Sequence, residues 1–217
     1  MRVIDFSQKR SIMTNYVKEL RDINVQNDKL RFRFNLKRIS QLLGYELSKS
    51  LHYKPIDIQT PLAKKKINAV QDQIVISSIL RAGLPMHEGL LDVFDHAENA
   101  FISAFRIEDE NEIKIKVEYE SSPDLKDKVL LLADPMIATG KSIINCLDQL
   151  KKYGQPSKVF ILGIVASQEG IDDLNKHLNE SVDCFVADID PHLNDKSYIV
   201  PGLGDAGDLA YGNKLNL

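Results

Sequence analysis

The chain has 217 residues, 43% of them hydrophobic, with 28 basic and 31 acidic side chains and a formal net charge of −3. That size supports one sizeable core, and the balanced charge gives no basic surface of the kind nucleic acid requires. No apolar run reaches membrane-spanning length, the opening MRVIDFSQKR lacks the apolar core of a secretion signal, and the two cysteines build neither a disulfide framework nor a metal site, so a cytoplasmic protein is expected.

In chain order, Ile12, Tyr16, Val17 and Leu20 predict a short helix. Leu36, Ile39, Leu43 and Leu47 predict a second that extends to Leu51, ends over His52–Lys54 and is broken at Pro55. The segment between them, RDINVQNDKLRFRF, reads as polar and basic, and Ile56, Ile58, Thr60 and Leu62 alternate like a short strand. Lys64, Lys65 and Lys66 read as a solvated face. A buried strand over 73–80 runs into Arg81-Ala82-Gly83-Leu84-Pro85, where proline suits a first helical turn. Phe101, Ser103 and Phe105 alternate in a strand expected to end at Arg106. The cleanest alternation, Glu112 to Glu120, predicts a half-solvated strand in a projecting hairpin.

Val129 to Ala133 are five apolar residues in a row, the pattern of a strand buried on both faces of a parallel sheet. Asp134 follows at the strand end, where open α/β sheets place ligand contacts. Thr139-Gly140-Lys141-Ser142 then turn into a helix carrying Ile143, Ile144, Leu147 and Leu150, with Gly154 as its stop. A small-residue turn at a helix start aims backbone N–H groups and the positive end of the dipole at one point, an anion site most often used for phosphate. Arg81 and Arg106, both expected at strand ends nearby, could grip a polyanion with their planar forks. Strands over 158–166 and 182–189 flank a helix marked by Ile171, Leu174 and Leu178. The tail YIVPGLGDAGDLAYG is glycine-rich, nearly aperiodic, and costly to order without a task.

Two motif matches fail on context. Gly140-Lys141-Ser142 lacks the glycine five positions earlier that a Walker A loop needs, because Pro135 stands there. Gly202, Gly204 and Gly207 match G-x-G-x-x-G, but only ten residues follow and the fingerprint must open a βαβ unit. The scattered histidines offer no pair at metal-ligand spacing.

The stretches IQTPL (58–62), ILRAGL (79–84), FRIEDE (105–110), DPMIATGKS (134–142) and YIVPGLGDAGD (198–208) together resemble the type I phosphoribosyltransferases, and among them the uracil phosphoribosyltransferase family, nearly end to end. The resemblance implies an α/β fold with a central parallel sheet flanked by helices: one domain over 1–217, with a helical segment at 1–55, a flap or β-arm at 105–125 and a base-binding hood at 190–217. It implies transfer of phosphoribosyl from 5-phosphoribosyl 1-diphosphate to uracil, giving uridine monophosphate (UMP) and diphosphate. It also implies magnesium carried mainly by the donor's diphosphate, no metal-ligating residue set, GTP-binding among the family's traits, and a homodimer or larger.

By the same resemblance, Pro135, Met136, Ile137, Ala138, Thr139, Gly140, Lys141 and Ser142 form the donor loop, with Thr139 to Ser142 on the 5-phosphate. Asp134 binds the ribose hydroxyls, and Arg81 and Arg106 the diphosphate. The backbone of Ile199, Gly204, Asp205 and Ala206 reads uracil, Asp205 also touching the donor. Arg81, Arg106, Asp134 and Asp205 make up the implied catalytic set. Purine-specific relatives carry further acids where this chain has Pro135 and Ala138, which argues against a purine acceptor. Pro85, Lys141 and Leu209 depart from the family's usual glycine, glycine and arginine. A regulatory protein that keeps the fold and binds nucleotide or RNA without turnover is the alternative reading.

Overall fold

The computed structural model describes residues 1–109 and 112–214, with side chains throughout except at 103–109 and 112–118. Its elements, in chain order, begin with β1 (Arg2–Asp5), α1 (Met13–Arg21), α2 (Lys29–Ser48), β2 (Tyr53–Gln59), β3 (Lys64–Val70), β4 (Ile74–Leu80) and α3 (Leu84–Leu91). They continue with β5 (Glu98–Asp109), β6 (Glu112–Ser121), β7 (Val129–Ala133), β8 (Met136–Ile137) and α4 (Lys141–Leu150). The chain closes with β9 (Lys158–Ser167), α5 (Gln168–His177), β10 (Val182–Asp190), β11 (His192–Leu193), β12 (Ile199–Val200) and α6 (Ala206–Tyr211). No helix among the described residues is long and apolar enough to cross a membrane.

The main sheet runs β1-β10-β9-β7-β4-β5-β6, with β8 added beside β9. Every pairing in it is parallel except β5 with β6. The unbroken apolar run of β7 is explained by its two faces. Val129, Leu131 and Ala133 pack with Leu36, Ile39 and Leu43 of α2, whereas Leu130 and Leu132 pack with Ile143, Cys146 and Leu147 of α4 and Leu174 of α5. Each strand residue thus meets a helix, and burying a leucine side chain of this kind stabilises by about 1.5–3 kcal/mol. The helices on both faces leave the C-terminal strand ends free to build a site.

Several sequence expectations shift. α2 starts at Lys29, capped by Asp28, whose carboxylate accepts from the Arg31 N–H, so LRFRF is helical and buries Phe32. It stops at Ser48, and Tyr53 and Lys54 belong to a strand. Pro55 is no helix stop: it lies inside β2, opposite Asn68 of β3. The bonds Thr60 N–H to Ala63 O and Gln71 N–H to His52 O place the even-numbered residues of β2 in hydrogen-bonded pairs. Proline therefore sits at a non-bonded position, where its missing N–H costs no ladder bond. The three lysines begin β3 of this exposed two-stranded hairpin, which among the described residues pairs with no other strand. β1, a parallel edge strand against β10, also escaped the sequence reading.

β5 does not end at Arg106. Its pairing with β4 closes at Leu80 opposite Ser103, and pairing with β6 carries it on to Asp109 as half of an antiparallel ribbon. The projecting hairpin expected over 112–120 is that ribbon; its side-chain alternation lies outside the described residues. The tail is less irregular than its glycines suggest, because it contains β12, paired with β11, and α6.

Candidate functional site

The loop after β7 is built by three anchors. Asp134 donates its N–H to Leu162 O at 3.0 Å and accepts from the Met136 N–H through Oδ1 at 3.2 Å. Met136 and Ile137 then return as β8 against Val165 and Ala166 of β9. The Ser167 hydroxyl donates to Ala138 O at 2.5 Å while accepting the Gly170 N–H, which ties the loop to the cap of α5.

The turn into α4 depends on Gly140, whose φ is +74°. A side chain there would be strained, and its Cβ would lie 3.0 Å from both Gly170 O and Leu174 Cγ. Lys141 and Ser142 follow in the first turn of α4, where N–H groups have no carbonyl one turn back and the dipole is positive. Asp134, Met136, Ile137, Ala138, Thr139, Gly140, Ser142 and Ile143 line a hollow of about 20 Å³. A larger cavity, about 210 Å³, lies between the far ends of α4 and α5, lined by Leu130, Val159 and Val182 near the strand starts, and holds none of the predicted site residues.

Arg81 leaves the end of β4, next to β7 in the sheet, with Ser78 opposite Ala133. Its Nη2 donates to Asp208 Oδ1 at 2.8 Å and to Gly212 O at 3.1 Å. Its guanidinium lies against Gly207, where an added Cβ would stand 3.6 Å from Nε and Nη2. Asp205 caps α6, its Oδ1 accepting from the Asp208 N–H at 2.9 Å, and Arg33 donates to Ala210 O at 2.7 Å. The tail is thus held at both ends of α6. Ile199 and Ala206 are buried, while Gly204 and Asp205 are exposed. Leu209 packs against the larger apolar cluster, so its place is not an open surface.

Arg81, the loop from Asp134 to Ser142 and the tail are therefore brought to one end of the sheet. Arg106 sits on the β5–β6 ribbon opposite Ile115, three residues beyond the last β4 partner, and its side chain lies outside the described residues. The sequence reading gave no role to Asp208 or Arg21, although both lie in stretches that fit the resemblance. Arg21 Nη1 and Nη2 reach Asp190 and Asp188 at 2.8–3.0 Å, and Nη1 also reaches Gly202 O at 2.9 Å. Burial alone would lower the pKa of Arg21, but its bond to Asp190 and the charges of Asp188 and Asp190 raise it. Sequence separations of 127 to 181 residues hid these contacts.

Other reactive-looking groups are structural. Burial pushes the thiols of Cys146 and Cys184 up to about 12, with the charge of Asp134 adding to the shift at Cys146, so neither is a nucleophile. Ser78, His87 and Asn99 form a chain at 3.1 and 2.7 Å, but His87 is 2% exposed and stacks on Phe101, out of reach of substrate.

The family model described as "Uracil phosphoribosyltransferase" matches residues 7–213. A uracil phosphoribosyltransferase of Porphyromonas gingivalis is 44% identical over 216 residues, covering 99% of this chain and all of that one. One of Thermococcus gammatolerans is 42% identical over 200 residues, covering 91% and 88%. A solved Aquifex aeolicus protein superposes with a TM-score of 0.86 at 31% identity, covering 97% of this chain and 98% of that one. A Staphylococcus aureus hypoxanthine phosphoribosyltransferase, at 14% identity and a TM-score of 0.50, shares the fold alone, covering 86% and 84%. With its parallel sheet, its glycine-opened α4 after Asp134 and these likenesses along nearly its whole length, the chain belongs to the uracil phosphoribosyltransferase family, within the type I phosphoribosyltransferase fold.

Proposed function

We propose that the chain transfers phosphoribosyl from 5-phosphoribosyl 1-diphosphate to uracil, giving UMP and diphosphate. The observation that carries this reading is the Arg81–Asp208 contact, which joins the loop assigned to the donor's diphosphate to the tail assigned to the base. In this reading, backbone N–H groups from Thr139 to Ser142 hold the 5-phosphate at the start of α4. Asp134 accepts from the ribose hydroxyls, and Arg81 and Arg106 stabilise charge as diphosphate departs. Displacement at the anomeric carbon passes through a cationic sugar and needs no protein nucleophile. Holding the two substrates in line supplies up to about 7–11 kcal/mol of the barrier reduction.

Uracil presents alternating acceptors and donors, which backbone groups of Ile199, Gly204, Asp205 and Ala206 match. A base with another pattern leaves polar groups unpaired. Pro135 and Ala138 leave no extra acid for a purine.

Magnesium fits this donor set as a companion of the substrate. Asp134 is the acid at the end of β7, and among the described residues no three His, Cys, Asp or Glu side chains gather as a ligand group. An ion held by substrate phosphate oxygens and waters with one or two carboxylates is the usual arrangement for magnesium. Bound there, it would neutralise charge on the leaving group.

The chain works, in this reading, as a homodimer or larger assembly. The β2–β3 hairpin supports that, since Leu62 is 96% exposed and Ile56, Ile67 and Val70 lie open on a ribbon too small to be stable alone. A panel of acceptor bases tests the substrate: uracil should yield nucleotide, and hypoxanthine, guanine and adenine should yield none. Nucleotide from a purine would reject the reading.

A further inference from the structure

Gly202 stands between the base-reading groups, after Ile199 and before Gly204, and its peptide is gripped from both sides by one ion pair. Its N–H donates to Asp190 Oδ2 at 2.9 Å, and its carbonyl accepts from Arg21 Nη1 at 2.9 Å. The same Nη1 donates to the same Oδ2 at 2.8 Å. Nη2 adds Asp190 Oδ1 at 3.0 Å and Asp188 Oδ2 at 2.8 Å. The grip needs a bare glycine. Gly202 has φ +59°, and an added Cβ would stand 2.1 Å from Ile199 O.

The grip is itself anchored. Arg21 is the last residue of α1, and Gln26 Nε2 donates to the carbonyls of Leu20 and Arg21 at 3.3 and 3.1 Å. Asp190 ends β10, in register with Ser167 of β9, the residue that ties the donor loop to α5. The Arg21 and Asp190 side chains are 18% and 7% exposed. Four N–H groups of the guanidinium are used, while Nε, also buried, has no partner among the described residues. A buried ion pair with an idle donor is a poor device for stability, since desolvation offsets most of its attraction. It is a good device for fixing a backbone in one orientation, because the planar fork and the carboxylate define both position and direction.

We propose that Arg21 and Asp190 are positioning residues for the acceptor base: through Gly202 they fix the backbone from Ile199 to Ala206 in the orientation that reads uracil. The pair touches neither substrate. It rests on the assignment of this tail to the base, and it ties base recognition to the end of α1. A shift of this backbone by an ångström separates the acceptor from the donor's anomeric carbon, and misplacement on that scale costs up to about a hundredfold in rate.

The test compares the parent chain with Arg21→Gln, Arg21→Lys and Asp188→Asn, which removes a neighbour of Arg21 that does not touch Gly202. Steady-state KM for uracil and for the donor, melting temperature, and amide exchange over 199–206 are measured on each. Arg21→Gln is expected to raise the uracil KM about tenfold or more and leave the donor KM within about twofold, with faster exchange at Leu203 to Ala206 and none added in α4. Arg21→Lys, keeping charge but losing the fork, should fall between it and the parent, and Asp188→Asn should stay nearest the parent. Should Arg21→Gln fail to fold, Arg21→Lys carries the same comparison. A lower melting temperature with both KM values and loop exchange unchanged would overturn the proposal, as would equal rises in the two KM values. Amide exchange reads the loop without turnover, so a parent unable to use uracil would strike the functional reading, while unchanged exchange would strike the positioning role.

Discussion

Arg81 Nη2 bonds Asp208 Oδ1 at 2.8 Å across 127 residues of chain, so the loop after β4 and the helix of the tail meet through two side chains. Both are partly exposed, at 37% and 34%, and a salt bridge of that kind contributes little to stability by itself. In the proposed reading its value lies in aiming a cation at the donor. Arg81→Ala should lower kcat by about tenfold to hundredfold, the worth of one charge-assisted hydrogen bond at ~1.5–3 kcal/mol where charge gathers on diphosphate. Asp208→Asn should cost less and act in the same direction. Steady-state kinetics check this, and an unchanged kcat with weakened uracil binding would contradict the role of Arg81.

The donor loop gives a second expectation. In the proposed reading Thr139→Ala and Ser142→Ala each remove a hydroxyl from a dianionic phosphate, so each should raise the donor KM by about ten- to hundredfold, with uracil affinity spared. Gly140→Ala should be worse than either, because the left-handed turn adds about 1–2 kcal/mol of strain and the new Cβ presses on Gly170 and Leu174. Parent-like donor binding in all three variants would mean that phosphate sits elsewhere.

Asp205 separates two jobs. Its carboxylate caps α6, and asparagine caps a helix about as well, whereas alanine loses about 0.5–2 kcal/mol. Asp205→Asn should therefore melt near the parent temperature yet turn over slowly, still preferring uracil to cytosine. Asp205→Ala should lose both stability and rate. If the asparagine variant turns over like the parent, the charge at 205 has no part in the reaction.

How far the sequence foretold this arrangement depended on the range of the interactions involved. β7, Asp134 and the turn into α4 were legible because adjacent residues carry the whole pattern: five apolar positions, one acid, one glycine. Helix α6 was not, since its six residues are too few to show a period, and its caps are Asp205 nearby and Arg33 and Arg81 far away. Pro55 was misread because a strand tolerates proline only where no ladder hydrogen bond needs an N–H, and that depends on the partner strand. Arg21 lies in the LRD segment (20–22) that also fits the resemblance, but its role was hidden because its partners lie 167 to 181 residues distant.

His87 sets a pH dependence of stability. Burial lowers its pKa below the ordinary 6.5, with the bond to Asn99 and the charge of Glu88 opposing that shift only in part. The folded protein then holds a neutral imidazole while the unfolded chain takes up a proton first. The contribution is fully present above pH 6.5 and is lost as pH falls toward the folded-state value, with a slope of at most about 1.4 kcal/mol per pH unit. His87→Gln should flatten the decline in urea-unfolding free energy below that pH. An equally steep decline in the variant would assign it to other groups.

The β2–β3 hairpin bears on assembly. The parent should sediment well above the 24.5 kDa of one chain, and Ile56→Glu with Ile67→Glu should shift it toward the monomer without unfolding the main sheet. A parent that sediments as a monomer at high concentration would refute this.

The most direct measurement is the stoichiometry of product formation when the purified chain meets uracil, 5-phosphoribosyl 1-diphosphate and magnesium. The account predicts UMP and diphosphate in equal amounts, accumulating over many turnovers and requiring both substrates. Tight binding of the donor with no UMP formed would contradict it and leave a fold that binds nucleotide without catalysing transfer.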